Sequence, residues 1–591
     1  MKKILSIILL TACSSCVALA LPFQQMISED VELFFNIRNL SELREQWAEH
    51  PMAEIFQDES LLELFESLNN AEETEDESAG FFVEMKNTFG LSKDEFFELF
   101  PGQVSLAFYN ITDQILQNGK RVEFIAMAEF SGDEKRLNEL AQIQFERNAE
   151  MQKAANPQIE HEMIEEVFMG ETLYFDETFD GETTYVEDGY ALVDGILVLA
   201  TPESRLREAV EIIKEGTETS ISDSAPYKRS REHSGRGDIG LYVNLAELIP
   251  SLNTALENLP IYNMLALFGV TPQSLKSALS LESMEGVSMD FDVVADGILG
   301  YFGILYSEKS GLLSLLEYAE GDLPEARYVP GKVLNSSIAL FDLSAMYGSL
   351  EKILGNVSPQ VVSMLDIQMQ AIQTNTGVDL RTSILENFGT QIVGFSILKE
   401  EVSNVMELLQ PQQVIVIDLR DAEAFGQALN ALIDNAQALR SSIDESVFEG
   451  ETIYSIVVPN DPSQPPMEIH YTITRSKFIL ITGQVILLHS VISSMGQDDD
   501  GLWQEPETLA LFERIGQPNA VNRTYYDAEQ FIGALFKALA SSDNFDNIPE
   551  SLQSGKIPQS LKGPFRLVSE TNEAPGGLFG RTLIIKSQEV E

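Results

Sequence analysis

The chain has 591 residues, of which 44% are hydrophobic, and this excludes both a disordered protein and a single small domain. It carries 93 acidic residues against 38 basic ones, a net charge of −55. A surface this negative repels phosphate groups, so nucleic acids and anionic membranes are excluded as general partners.

The first twenty residues have the pattern of a secretory signal peptide. Lys2 and Lys3 give a positive start, Ile4 to Thr11 is a short apolar run, and Ala18 to Ala20 forms a small-residue cleavage site. The pattern predicts an exported protein of the periplasm, outer envelope or extracellular space. No later segment reaches ~18 uninterrupted apolar residues, so we expect no transmembrane segment in the mature chain.

A second interpretation of the leader remains open. Leu10 to Cys13 resembles the lipobox of bacterial lipoproteins, in which the cysteine becomes the lipidated first residue. Cys13 is therefore a candidate lipidation site that would tether the protein to a membrane. Cys13 and Cys16 are the only cysteines in the sequence, so cleavage after Ala20 leaves no thiol for a disulfide, a nucleophile or a metal site.

An internal repeat organises the rest of the chain. Glu165 to Tyr174 (EEVFMGETLY) matches Glu445 to Tyr454 (ESVFEGETIY) at seven of ten positions, and we call the spacing from Glu165 to Glu445 the repeat offset. Pro272 to Lys276 recurs unchanged as Pro558 to Lys562. Because two matches occur in the same order at nearly the same offset, the sequence predicts two diverged copies of one folding unit.

A connector rich in Gly and Pro residues separates the two repeats. We place the first repeat at 21–308 and the second at 333–591, joined by a connector over 309–332 that contains a short apolar helix (Gly311 to Tyr318) and then several Gly and Pro residues. The acidic run Glu72 to Glu77 in the first repeat is predicted to be a solvated loop, since like charges cannot pack together.

In chain order, each repeat reads as a strand, helices, two strands, a long helix, two strands, a helix, a strand, helices and a final hairpin. Residues 122–130 alternate between apolar and polar side chains, which predicts a half-buried strand. The segments 134–148 and 422–439 have helical periodicity. Val414 to Ile417 is apolar throughout, which predicts a strand that is covered on both faces or lies deeper in the protein. Gly170 and Gly450 are expected at a bulge or hairpin turn.

These elements predict an α+β fold. Strands joined by short turns, with the helices grouped between them, favour mainly antiparallel sheets with packed helices, one in each of two tandem homologous units. A doubly wound parallel sheet would require a regular alternation of strand and helix, which the sequence lacks.

The two copies of the EEVFMGETLY motif resemble a family of exported bacterial proteins. So do the strand Asp194 to Ala200 and the later pattern Leu241 to Asn244. That family is known only as a domain of unknown function, and the resemblance covers most of the mature chain. It implies an envelope or extracellular location, and it implies no activity and no catalytic residue.

One basic cluster is the densest positive patch in the sequence and a candidate anion-binding site on a glycine-flanked loop: Lys228, Arg229, Arg231 and Arg236. The competing interpretation is that these residues pair with acidic neighbours. Gly235 to Gly240 also satisfies G-x-G-x-x-G, but a strand rather than a helix is predicted to follow it, which argues against a dinucleotide site.

Other chemical motifs do not assemble in the sequence. The histidines are scattered, without metal-ligand spacing, at positions 50, 161, 233, 470 and 489. Asp498 to Gly501 and Asp543 to Asp546 lack the ligand pattern of a calcium loop. Ser349 and Lys352 form S-x-x-K without its partner motifs, and Glu171 and Glu451 recur beside glycines as turn carboxylates. No catalytic residue, metal or cofactor is predicted.

These observations favour a non-catalytic exported envelope protein with a binding or scaffolding role towards an unidentified envelope or extracellular partner. The first alternative is a carrier of a hydrophobic ligand or lipid, which would require an apolar pocket of about 300–1,000 Å³. The second alternative is a hydrolase of envelope polymers, which would require a cleft of converging polar groups with perturbed pKa values.

Overall fold

The structure is a computed structural model that describes residues 22–55, 58, 61, 91–111, 123–155, 158–179, 183–217, 219–250, 270–399, 408, 410–435, 440, 442–458, 467–497, 501–540 and 557–586. The signal peptide with Cys13, the acidic run 72–77 and the two acidic segments 498–500 and 543–546 lie outside the described residues.

The strands are the dominant elements of the described chain. They are β1 Leu33–Ile37, β2 Val104–Tyr109, β3 Glu123–Glu129, β4 Glu160–Phe168, β5 Glu171–Phe179, β6 Thr184–Val193, β7 Ile196–Thr201, β8 Ile239–Asn244, β9 Met284–Val294, β10 Gly297–Tyr306, β11 Asn335–Leu340, β12 Phe388–Ile397, β13 Gln412–Leu419, β14 Ile443–Phe448, β15 Glu451–Val458, β16 Met467–Ile473, β17 Lys477–Thr482, β18 Asn522–Asp527, β19 Phe565–Ala574 and β20 Gly577–Lys586.

The α-helices lie between groups of these strands. They are α1 Leu40–Ala48, α2 Lys93–Leu99, α3 Glu134–Ala155, α4 Glu203–Glu215, α5 Ala225–His233, α6 Pro272–Leu279, α7 Leu343–Val357, α8 Pro359–Thr376, α9 Leu380–Ser383, α10 Ala422–Asn435, α11 Val485–Met495, α12 Pro506–Ile515 and α13 Ala528–Ala540. The strand pairings within the two units that the structure describes are antiparallel, and the helices lie between groups of strands. The predicted α+β class is therefore confirmed.

The chain divides into two compact units that do not coincide with the sequence repeats. The first unit comprises the described parts of Met1–Ser41 and Phe81–Lys228, and the second comprises those of Glu42–Gly80 and Arg229–Glu591. The predicted connector 309–332 therefore lies inside the second unit.

The first unit contains a sheet with the strand order β4-β5-β6-β7-β3-β2-β1. Helix α4 packs against β6 and β7. Its buried residues Leu206, Ala209, Val210 and Ile212 recur at helical spacing, which is why one face of this helix turns towards the sheet.

The second unit contains a longer sheet, β8-β9-β10-β20-β19-β18-β11-β12-β13-β17-β16-β15-β14. Its run from β11 to β14 has the same strand order as the first unit's run from β1 to β4. Helix α11 packs on β16 and β17, as α4 does on β6 and β7. Equivalent elements therefore occupy equivalent places within each unit.

The shared EEVFMGETLY motif forms a two-stranded hairpin in each repeat. Met169 and Gly170 turn β4 into β5 with φ values of 53° and 87°, and Glu449 and Gly450 do the same with 50° and 87°. Two consecutive positive φ values define a type I′ turn, which demands glycine at the second position. The prediction of two strands between the long helix and the next helix is wrong, because this turn divides the motif and four strands lie there.

Packing around the two hairpins is also alike. Phe168 lies under the guanidinium of Arg207 on α4, 5.6 Å from ring centre to Cζ, and Phe448 stacks on His489 of α11 at 4.0 Å between ring centres. Tyr174 stacks on Tyr190 at 4.9 Å, and Tyr454 stacks on Tyr471 at 4.8 Å. Both hairpins therefore have an aromatic contact to a helix and a tyrosine stack within the sheet.

The strands β10 and β20 join the two hairpins β9–β10 and β19–β20. The ladder runs from Gly297 opposite Ile585 to Leu305 opposite Gly577. At its centre Tyr301 lies opposite Arg581, and these two positions are themselves separated by the repeat offset. The two strands thus pair around an approximate two-fold axis, as equivalent surfaces do in a symmetric dimer.

One local prediction is wrong. Strand β13 is not covered on both faces, since Val414 and Val416 are buried while Ile415 is 38% exposed. The repeated sequence Pro-Gln-Ser-Leu-Lys begins the eight-residue helix α6 in the first repeat, but it gives only a 3₁₀ turn, Gln559–Leu561, in the second. Gly563 and Pro564 follow this turn in the second repeat and prevent it from continuing as an α-helix.

We expect the β10–β20 ladder to hold the chain together after a cut in the connector. A protease site inserted at the exposed Gly321–Asp322 step should yield two fragments that co-elute on size exclusion and separate only in denaturant, because nine register positions still pair between them. Fragments that separate in native buffer would contradict this pairing.

Candidate functional site

The structure places three of the four predicted anion-binding residues on a helix. Lys228, Arg229 and Arg231 lie on α5, and only Arg236 lies in the following loop. The prediction of one glycine-flanked loop is therefore wrong for three of them. The helix forms here because the Ser224 side chain accepts from the Tyr227 N–H, and because proline is favoured in a first turn.

Each of these four cations has a carboxylate partner. Lys228 pairs with Asp223 at 3.5 Å, Arg231 with Asp290 at 2.5 Å and Arg236 with Asp238 at 2.8 Å, and Arg229 pairs with Glu285. An external anion would have to displace a carboxylate from each cation it used. The geometry therefore favours the interpretation that the cluster balances acidic neighbours.

The glycine loop, residues 235–238, binds an anion that belongs to the protein itself. The carboxylate of Asp292 on β9 accepts from the backbone N–H groups of Arg236 (2.8 Å), Gly237 (2.7 Å) and Asp238 (3.3 Å). In return the Asp238 carboxylate accepts from the Val293 N–H at 3.1 Å. Successive N–H groups of this kind make an anion-binding concavity, and here β9 fills it.

Gly235 is required because neighbouring side chains leave no space for a Cβ atom, and Gly237 is required by its backbone conformation. A Cβ atom at Gly235 would collide with the Asp292 carboxylate and the Tyr301 ring. Gly237 has a φ of +67°, and its N–H makes the shortest of the three bonds to Asp292. The G-x-G-x-x-G pattern is thus explained by a tight loop around a buried carboxylate, without a nucleotide.

The second repeat has a related arrangement at equivalent strand positions. Glu570 and Asn572 on β19 follow Asp290 and Asp292 by the repeat offset. The Gln517 N–H donates to Glu570 at 3.1 Å, its side-chain amide donates to Asn572, and Arg523 pairs with Glu570 at 2.6 Å. A loop preceding a strand is fastened to the neighbouring hairpin in both repeats, so this polar cluster is part of the architecture.

Burial shifts the pKa values of titratable groups in this region, among them those of Asp290 and His233. It raises the pKa of Asp290, which the Arg231 guanidinium counteracts. Burial lowers the pKa of His233, which stacks on Phe579 with 3.7 Å between ring centres. Both groups are held by packing and pairing within the second unit.

The remaining sequence candidates lie apart from one another. Glu171 pairs with Lys214 at 2.5 Å, and the Ser349 hydroxyl donates to Glu317. Within the described ranges no three His, Cys, Asp or Glu side chains come together as a metal site. Among the helices that the structure describes, none combines the length and apolar character needed to cross a bilayer.

Two depressions on the described surface lack the size or the apolar lining that a lipid carrier requires. One, beside Tyr306, Lys309 and Glu573, has a volume of about 10 Å³, which is far smaller than the usual ligand pocket. The other is open, lies along α3, and is lined mainly by charged and amide side chains such as Glu134 and Gln142. Neither provides an apolar cavity for an acyl chain.

The two hairpins have a surface feature that is not among the sites predicted from the sequence. We name β4–β5 the first edge hairpin (residues 160–179) and β14–β15 the second edge hairpin (residues 443–458). Val167 is 74% exposed in the first and Val447 is 72% exposed in the second. The signal was present, because a strand alternates faces and a valine beside a packed phenylalanine must point the other way.

Comparisons with known proteins add no functional information. No protein-family model and no curated protein matches the chain. Crystal form I of TP0453 matches with 11% identity over 46% of this chain and 82% of that one, at a TM-score of 0.22. Crystal forms III and IV match with 9% and 7% identity over 48% and 49% of this chain and 79% and 81% of TP0453, at TM-scores of 0.21 and 0.22.

Replacing Asp292 tests the role assigned to the glycine loop. We expect Asp292→Ala to lower the free energy of unfolding by at least about 2 kcal/mol, because buried N–H groups lose their acceptor. Asp292→Asn keeps one oxygen and should cost less. Denaturant unfolding measures both, with the exposed Asp322→Ala as a control expected to stay within about 0.5 kcal/mol. Equal stability of Asp292→Ala and the control would contradict the assignment.

His233 should contribute to the pH dependence of stability. Because its pKa is lowered by folding, its contribution is complete above the unfolded pKa of 6.5 and is lost as pH falls towards the folded value. Since His233 is partly exposed and solvent screens its charge, we expect this loss of stability to be small. His233→Phe keeps the stack on Phe579, and its melting temperature should fall less than that of the unmodified protein between pH 7.5 and pH 5. Identical falls would remove His233 as a cause.

Proposed function

We propose that this chain is a non-catalytic, exported envelope protein that binds or scaffolds a macromolecular partner. The observation that carries the proposal is the contrast between buried polar groups, which bond to each other, and two valines that are exposed on the surface. The glycine loop and the basic cluster are occupied by the protein's own carboxylates, whereas Val167 and Val447 are exposed at matching positions of two edge hairpins.

The internal pairing supports binding over hydrolysis. Groups that act as acids, bases or anion receptors must face a cleft that a substrate can enter. Asp292, Glu570 and Asn572 are buried and bonded to the loops that cover them. A scaffold needs no such cleft and instead uses exposed side chains on rigid elements.

Export is part of the proposal and rests on the leader in the sequence. Cleavage after Ala20 would release a mature chain beginning at Leu21, and lipidation of Cys13 would tether it to a membrane. The net charge of −55 fits a protein held in solution away from anionic surfaces. The two repeats in the sequence would give the chain two related binding surfaces.

Purification of the full-length gene product from its native envelope after mild chemical crosslinking tests the proposal. We expect a protein or polymer partner in stoichiometric amount, and intact mass of the mature chain beginning at Leu21. A co-purifying lipid in place of a macromolecule would support the carrier alternative, and turnover of envelope polymer fragments would support the hydrolase. Either outcome would contradict the scaffold.

A further inference from the structure

The two edge hairpins each present a strand that is paired on one side. Among the strands the structure describes, β4 pairs with β5 alone and β14 pairs with β15 alone. An outer edge of this kind carries backbone N–H and C=O groups that can bind another strand. Strand addition is a common way of capturing an extended peptide.

Packing explains most residues that the two hairpins share, but not all. Gly170 and Gly450 make the turns, Phe168 and Phe448 contact helices, and the shared tyrosines stack within the sheet. Two further shared residues follow a different pattern. Glu165 and Val167 lie on one face of β4, two positions apart, as Glu445 and Val447 do on β14.

These residues point outwards from the packed interior. Val167 and Val447 are both more than 70% exposed, although valine is an apolar residue. Glu165 and Glu445 are also exposed, and the Glu445 carboxylate forms an ion pair with Arg440 at 2.7 Å. Each edge therefore shows a carboxylate and an apolar side chain on the same face, adjacent along the strand.

Charge selects the strand that such an edge can accept. The first edge hairpin contains seven acidic residues and no Lys or Arg, and the second contains four acidic residues and no Lys or Arg. Three of these carboxylates, Glu166, Glu171 and Glu445, already pair with cations outside the hairpins. The remaining carboxylates outnumber these pairs, so each hairpin keeps an excess of negative charge. A second copy of this chain would bring like charges together across the new ladder, which is destabilising. An anionic or acidic partner is disfavoured for the same reason, whereas a basic strand is complementary.

We propose that each edge hairpin binds an extended segment of a basic protein partner by strand addition. A Lys or Arg of that segment lies opposite Glu165 or Glu445, and an apolar side chain two residues away on the same face lies opposite Val167 or Val447. This inference rests on the proposed binding function and names its partner chemistry and its residues.

The test uses the full mature chain and a synthetic nine-residue peptide, Thr-Lys-Thr-Val-Thr-Lys-Thr-Val-Thr, whose lysines and valines share one face of a strand. Calorimetric titration at 50 mM salt should show two peptides bound per chain. Affinity should fall at least about tenfold at 300 mM salt, because the contacts are ionic at an exposed edge. A composition-matched peptide with its lysines and valines on opposite faces should bind at least about tenfold more weakly.

Matched variants locate the binding. Val167→Thr with Glu165→Gln should reduce the stoichiometry from two to one, and the corresponding pair Val447→Thr with Glu445→Gln should do the same. The four substitutions together should abolish binding. Threonine keeps the β-branched shape, so the hairpins should still form. Val457→Thr, at a 52% exposed valine of β15 away from the outer edge, serves as the control and should leave binding unchanged.

Three results would overturn the inference: no binding of the peptide, equal binding of the two peptides, or binding that survives the four substitutions. Each leaves the broader proposal standing if a stoichiometric partner is still recovered from the native envelope. If the peptide binds as expected but no macromolecular partner is recovered there, the edge site stands while the scaffolding role fails.

Discussion

The antiparallel pairing of β10 with β20 is the constraint on which the second unit depends. It converts what would be two exposed hairpin edges into the interior of one sheet and places Tyr301 opposite Arg581, its equivalent position in the second repeat. The side chains Leu305, Leu583 and Ile585 of this ladder are buried. Because equivalent strands meet there, the joint has the self-complementary character of a symmetric dimer interface within one polypeptide.

The loops that flank this joint are fixed by polar groups that look functional in isolation. A glycine loop with successive N–H groups and nearby guanidinium groups has the chemistry of an anion receptor. Here its anion is Asp292, and the second repeat fastens its own loop through Glu570 and Asn572. Unmade hydrogen bonds are costly inside a protein, so these contacts serve to position the loops.

The sheet edges behave differently from the joint. Where β10 and β20 meet, apolar side chains close the edge, whereas at β4 and β14 the structure shows carboxylates beside exposed valines. Acidic edges disfavour pairing between copies of the chain, and the proposed binding of a basic strand would use the same negative charge.

The sequence by itself determined the α+β class, the hairpin glycines Gly170 and Gly450, and the helices after strands β3 and β13, because alternation, turn chemistry and helical periodicity are local properties. It also contained the repeat that pairs Val167 with Val447. Only the tertiary structure decided that Asp292 occupies the glycine loop and that Ile415 is exposed. Burial and ion pairing depend on contacts between residues that are distant in the chain, and no local pattern specifies which residues will be in contact. Asp238 and Asp292, for example, are 54 positions apart.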